Sequence, residues 1–296
     1  MSTLVTYEDS SRPEDLLQIV TNVAPSETPL LSNLRRGADA QQTLHEYLVD
    51  SYADSNDNAA VEGAAFSSDT LTAPTRASNV TQIIRNDIEV SATEDLVSGP
   101  SALNYQVEKT LVEHAKDLER ALMAGSQASG ETNAARRMTG VINALTTNAT
   151  LQASNSTLTE DGYNDLLELV WQSTSATELP DMIFVGSTLK RTISGFTGGT
   201  TKNIDATSYK IDNRVDVYEG DFGTQTVMLH RDVPSAASGR SIVGINSDRH
   251  MLSFLRPSQV VDIAKVGDSE RKMLVTEATI EHRAEKSGFV SNRYQG

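Results

Sequence analysis

Cysteine is absent from the 296 residues, so neither a disulfide framework nor a thiolate metal site can exist. Aromatic residues make up 5% and apolar residues 38%, a polar balance for a compact enzyme. That balance suggests that part of the chain makes its contacts with other chains. No run of 18 apolar residues occurs, so no stretch can cross a bilayer as a helix. The first residues, Met1 to Asp15, have neither a basic n-region nor an apolar core. We therefore expect no secretory signal and a cytoplasmic chain. Basic residues are in deficit, 25 against 40 acidic, for a net charge of −15. Lys and Arg come no more than two in a row, as in Arg35-Arg36 and Arg136-Arg137, which weighs against direct nucleic-acid binding.

Chemistry-bearing motifs are missing too. The five histidines, His45, His114, His230, His250 and His282, make neither HxH nor HExxH spacing. There is no GxSxG. Gly195 to Lys202 looks superficially like a phosphate loop but lacks the Gly-Lys-Ser/Thr ending and follows a helical pattern. Acidic pairs such as Glu14-Asp15 and Glu160-Asp161 open helical patterns, where the helix dipole already favours them. We expect no catalytic residue, no metal and no cofactor. His114 reads as a half-exposed structural histidine.

What is present is one long helical pattern, Ser101 to Ala124. Leu103, Val107, Leu111, Ala115, Leu118 and Leu122 recur at steps of three and four and form one stripe. Gly99-Pro100 precedes it, and Gly125 stands where a left-handed C-cap is expected. At ~1.5 Å per residue this helix is on the order of 36 Å long. One apolar stripe of that length needs a sheet or other helices laid along it, so it reads as a spine.

Ahead of the spine, Pro13 to Val20 and Thr28 to Gly37 are short helical patterns. In the second, Thr28 would cap and Pro29 would stand at the first helical position. Thr43 to Val49 and Ala77 to Val90 read as strands. Between them lies a polar stretch with few large apolar side chains, Phe66 being one. Two strands with a long polar tip make an extended hairpin, marginal alone in water. Either it folds back on its own domain or it lies on a neighbouring copy; the low apolar content of its tip favours the second.

After the spine, Gly125 to Ser156 is rich in small polar residues. Thr159 caps a helix from Glu160 to about Ser175, with Leu166, Leu167, Leu169, Val170 and Trp171 crowding one side. Met182 to Val185 suits a strand buried on both faces. Ser187 is expected to cap a helix to about Phe196, and Thr197 to Asp205 reads as a loop. Arg214–Tyr218, Thr224–His230 and Ser241–Ile245 alternate like strands of the same α/β lobe. Lys272 to Arg283 returns as a long strand with Leu274, Thr276, Ala278 and Ile280 on one face, suited to the spine.

This α+β order resembles the major capsid proteins of tailed phages with the Hong Kong 97-like fold. Short elements carry the finer resemblance to one phage capsid family. They are Thr28-Pro29-Leu30-Leu31, Glu62-Gly63-Ala64, Gln82-Ile83 running to Val90-Ser91, Tyr218 to Gly223 with its Asp221-Phe222-Gly223, Leu255-Arg256-Pro257, and Ala264-Lys265-Val266-Gly267-Asp268. The resemblance implies an N-terminal arm at 1–40 and an E-loop hairpin at 41–90. It implies a P-domain at 91–159 with spine helix 101–124, an α/β A-domain at 160–257, and P-domain return strands at 258–296.

It further implies a homo-oligomer of hexamers and pentamers in an icosahedral shell enclosing double-stranded DNA, without sequence-specific binding and without a membrane. A portal would be a partner, with scaffolding or decoration proteins as optional further ones that the sequence leaves open. The compartment would be the virion capsid, assembled in the host cytoplasm. Glu62, Arg76 and Arg85, the last two placed on the hairpin, are the expected inter-subunit contacts. Some shells of this type join an E-loop lysine covalently to a neighbour's asparagine. The first lysine here is Lys109, so no such crosslink is expected. Two other readings stand beside this one: an encapsulin-like cargo compartment, and an enzyme with a catalytic α/β lobe.

Overall fold

The computed structural model describes residues 28–50, 52, 57, 59–63, 65, 73–97, 102–173, 178–196, 216–235, 240–265 and 267–295. The helical pattern at 13–20, Gly99-Pro100, Phe66 and the 197–205 loop lie outside the described residues. The chain begins with α1 (Pro29–Asn33), β1 (Arg35–Arg36), β2 (Leu44–Val49), β3 (Thr75–Val80) and β4 (Gln82–Ser91). Next come α2 (Ala92–Val97), α3 (Ala102–Ala124), α4 (Val141–Ala144), β5 (Ala149–Thr157) and α5 (Glu160–Gln172). Then follow β6 (Met182–Val185), α6 (Ser187–Ser194), β7 (Val217–Gly220), β8 (Gly223–Leu229) and β9 (Arg240–Ile245). The last strands are β10 (His250–Ile263), β11 (Ser269–His282) and β12 (Phe289–Gln295).

α3 is the expected spine. It lies along β11 and β4, the last two strands of a four-stranded sheet ordered β1-β10-β11-β4. Leu103 and Val107 pack with Ile88, Val90 and Leu274, and further along Leu118 and Leu122 pack with Ile84, Ala278 and Ile280. Both ends of the helix stripe meet the period-2 face of β11 as their spacings require; between them Leu111 departs from the expected stripe, 44% exposed where His114 is buried. Burying one such leucine contributes about 1.5–3 kcal/mol. His114 corrects the half-exposed expectation: it is buried, its ring nitrogens 2.6 Å from Asn86 Oδ1 and 2.6 Å from Thr276 Oγ1. Burial lowers its pKa, against a smaller upward pull from Asp117.

Gly125 is not a left-handed cap; it is absent from the glycines with positive φ. Its reason is space. A Cβ there would run into the Ala121 and Met138 carbonyl oxygens, and one on Gly140 would run into Gly125 N and Leu122 O. The two glycine backbones touch through Gly140 N–H donating to Gly125 O at 2.8 Å.

The second sheet has six strands, ordered β5-β12-β9-β6-β8-β7, with β5–β12 and β6–β8 parallel. β6 is buried throughout, and its alternation splits it between two cores. Ile183 and Val185 face α5 and α6 with Leu166, Leu167, Val170 and Leu189. Met182 and Phe184 face the end of the spine with Leu122, Met123, Met138 and Val141. The second cluster therefore joins the two sheets. Thr159 caps α5 as expected, its Oγ1 accepting from Gly162 N–H at 3.1 Å. Trp171 corrects the crowded-side expectation: it is 66% exposed, on the outer side of the helix. α6 begins at Ser187 after Gly186, with no side-chain cap.

The sheets divide the chain at points other than the expected boundaries. β5 (within 91–159) and β12 (within 258–296) both belong to the six-stranded sheet, while the first half of β10 (within 160–257) belongs to the four-stranded one. Parallel pairing between β5 and β12 needs a distant crossover, which no local pattern reveals.

Candidate inter-subunit surface

β2 and β3 form a separate two-stranded sheet, with Leu44 opposite Val80 and Val49 opposite Thr75. The expected strand from Ala77 to Val90 is broken at Thr81. Before the break the chain pairs with β2; after it, β4 pairs with β11. Thr81 is buried, with its N–H donating to Thr43 O at 2.8 Å and its hydroxyl donating to Glu277 at 2.9 Å.

The break is the root of the hairpin, and the second face of β11 builds it. Glu277 also accepts from Arg136 at 2.6 Å and Arg256 at 3.1 Å. Glu281 accepts from Ser253 and Arg283, each at 2.7 Å, and its Oε1 lies 2.9 Å from His45 Nε2. Burial by itself raises the Glu281 pKa; the bonds from His45, Ser253 and Arg283 outweigh it and hold the carboxyl below its ordinary value. Asn79 is saturated. Its amide donates to Thr139 O and Ile280 O, and its oxygen accepts from Thr139 and Val80 N–H. Tyr47 Oη accepts from His282 N–H at 2.9 Å, and burial raises its own pKa. His250 and His282 stack edge to face at 5.2 Å. Burial lowers the pKa of both; for His282, where the His250 charge adds to the effect, it falls to about 3.

Beyond this root the hairpin has little cover. His45, Tyr47 and Val49 turn one way, and Leu44, Glu46 and Leu48 the other. Leu48 is 68% exposed, and in the tip Tyr52 and Val61 are 87% and 81% exposed. Exposed apolar side chains on a ribbon two strands wide leave its outer face without a partner among the described residues.

Of the three expected contact residues, Glu62 sits in an exposed turn followed by Gly63 at φ 81°. Arg76 is exposed on β3 and pairs with Glu46 at 3.3 Å. Arg85 corrects its expected position: it lies on β4 in the four-stranded sheet, paired with Asp87 at 2.9 Å. The fold does not bring the three together. The root residues Asn79, Thr81, Glu277 and Glu281 escaped the sequence reading. Their one signal was alternation on β11 with glutamates on the face away from the spine.

A polar cleft of about 500 Å³ opens between β4, α2 and α3, lined by Asp87, Glu89, Ser91, Glu94, Gln106 and Thr110 among others. Among the described residues no three His, Asp or Glu side chains group as metal ligands, and no helix is long and apolar enough to cross a membrane.

This architecture is the Hong Kong 97-like capsid fold. The capsid of cyanophage A-1(L) superposes with a TM-score of 0.73 at 14% identity, covering 99% of this chain and 100% of that one. The holo-SrpI encapsulin complex from Synechococcus elongatus PCC 7942 gives 0.57 at 12% identity, with coverage of 98% and 93%. At such identities the likeness speaks for the fold alone. In sequence, the major capsid protein of Escherichia phage Phieco32 is 23% identical over 334 residues, spanning 94% of this chain and 93% of that one. A family model described as SU10 major capsid protein matches residues 2–293. With a match over nearly its whole length, the chain belongs to the SU10 major capsid protein family.

Proposed function

We propose that the chain is the repeating subunit of a tailed-phage shell, self-assembling through hexamers and pentamers into an icosahedral capsid around double-stranded DNA. The family match over residues 2–293 carries this reading. It also favours a phage shell over an encapsulin-like compartment and a structural role over a catalytic lobe. The virion capsid is then the protein's place, with assembly in the host cytoplasm. Portal, scaffolding and decoration proteins are its further partners.

In that reading residues 1–40 are the arm and the β2–β3 ribbon is the E-loop. The spine with the four-stranded sheet is the peripheral domain, and the six-stranded sheet with α5 and α6 the axial one. The uncovered outer face of the ribbon supports its lying on an adjoining subunit, where Leu48, Tyr52 and Val61 would lose their water. Glu62 and Arg76 are exposed on the ribbon and Arg85 on β4; an interchain ion pair at any of them would be worth little singly. A net charge of −15 leaves weak attraction for packed DNA, so enclosure rather than binding is the mode of contact.

Negative-stain microscopy of the expressed chain tests the reading. Shells, tubes or capsomer rings are expected; a uniformly monomeric field at high concentration contradicts it.

A further inference from the structure

One buried carboxylate has no part in the surface described above. Glu119 and His230 are both buried, the first on α3 and the second just after β8. Glu119 Oε1 accepts from Leu30 N–H at 2.8 Å and Oε2 from Leu31 N–H at 2.7 Å, across 89 and 88 positions of sequence. Thr28 makes no side-chain cap on α1, so the spine supplies what the local sequence was expected to supply. On the lobe side, His230 Nε2 lies 2.8 Å from Glu119 Oε1. His230 Nδ1 accepts from Asp232 N–H at 3.1 Å, which in the neutral ring leaves the proton on Nε2, close to the carboxylate but not aligned for a hydrogen bond to it.

α1 has five residues and cannot stand as a helix alone. It is held to the body by the fully buried Leu30 side chain, by Leu31 and Leu34 packed against the same core, and by these two hydrogen bonds to a buried carboxylate. The chain leaves this junction backwards into the segment before residue 28 and forwards, through β1, onto β10.

We propose that Glu119 is a positioning residue for assembly: a charged latch that ties the start of the body to the spine and to the six-stranded lobe at one point. It thereby fixes the point at which the N-terminal arm joins the body. The assembly part of this inference rests on the function proposed above; the latch itself does not. A neutral amide of the same shape presents one acceptor and turns a donor toward the second N–H, so the latch depends on charge as well as on size.

Hydrogen exchange at the Leu30 and Leu31 amides of the full chain reads the latch directly. In Glu119→Gln both are expected to exchange at least about tenfold faster, with the Ala278 and Ile280 amides of β11 unchanged. Unchanged protection at Leu30 and Leu31 overturns the proposal. Should Glu119→Gln lose protection throughout, Leu31→Pro decides the matter. It removes one donor from the arm side, and proline is tolerated in a first helical turn. Faster Leu30 exchange then supports the latch, and unchanged Leu30 exchange overturns it. Shells are counted separately: fewer closed particles from folded Glu119→Gln supports the assembly role, and a wild-type yield overturns it. A wild-type chain that forms no shells but shows the exchange effect refutes the proposed function and leaves the latch standing.

Discussion

His45 and Glu281 stand 236 positions apart in sequence and 2.9 Å apart in space. One lies at the start of the hairpin and the other near the end of β11, which with β10 is one of the two 14-residue strands. Their contact places the end of a ribbon on a rigid sheet, so the ribbon leaves the body in a set direction while its outer face stays bare. Held at the root and with Leu48, Tyr52 and Val61 exposed beyond it, such a ribbon suits a contact made with another copy.

The root is expected to be acid-sensitive. His282 is held neutral by burial, with a folded pKa of about 3 against an ordinary 6.5. The unfolded chain takes up that proton first, so the stabilisation is whole above pH 6.5 and declines as pH falls from there toward 3. The Glu281 carboxyl is also depressed; its stabilisation is present above its ordinary 4.5 and is lost as pH falls through the folded value. Denaturant unfolding across this range should show stability falling with acid, with His282 adding up to about 1.4 kcal/mol per pH unit. His282→Gln should flatten the upper part of that slope. A wild-type stability level between pH 6.5 and 4.5 would contradict this.

Gly140→Ala should destabilise the chain by about 2–4 kcal/mol, because the added methyl meets backbone atoms of Leu122 and Gly125 that no rotamer change can move. Thermal unfolding measures it. Gly223→Ala is a useful contrast: nothing lies near its Cβ position, and any cost there comes from its φ of 97°.

Denatured particles should run as single chains on a reducing gel. Residues 41–90 hold no lysine, so the hairpin has no amine to join to a neighbour's asparagine. A ladder of covalent multimers would contradict this.

Leu48→Asp should leave the isolated chain as stable as the wild type to within about 0.5 kcal/mol, since Leu48 is already 68% exposed. It should nevertheless abolish or sharply reduce shell formation, because the charge would be desolvated at the contact. Sedimentation separates the two outcomes. Shells in normal yield would mean that this face of β2 meets no partner.

Periodic elements were legible in the sequence. The spine came from its stripe of leucines, β6 from its unbroken apolar run and α5 from Thr159 and the pattern behind it, because each signal lies within a short stretch of adjacent sequence. What stayed hidden depends on residues far apart in the chain. Thr81 breaks a run that looks like one strand, because Thr43 and Glu277 claim its polar groups. His114 is buried because Asn86 and Thr276 satisfy it, and Arg85 fell on the body once the strand broke before it. Glu119 sits at the edge of a helical stripe like any surface glutamate, and its partners come from 88 positions upstream and from the far lobe. Trp171 extended an apolar cluster in sequence yet points outward, since the core needed only Tyr163, Leu166, Leu167 and Val170 from that helix.

A cryo-electron map of the assembled particle tests the central claim most directly. Leu48 and Tyr52 should be buried against an adjacent subunit, with the His45–Glu281 contact kept at the root. A map in which the ribbon folds onto its own four-stranded sheet, or stands in solvent with both side chains uncovered, would contradict the account.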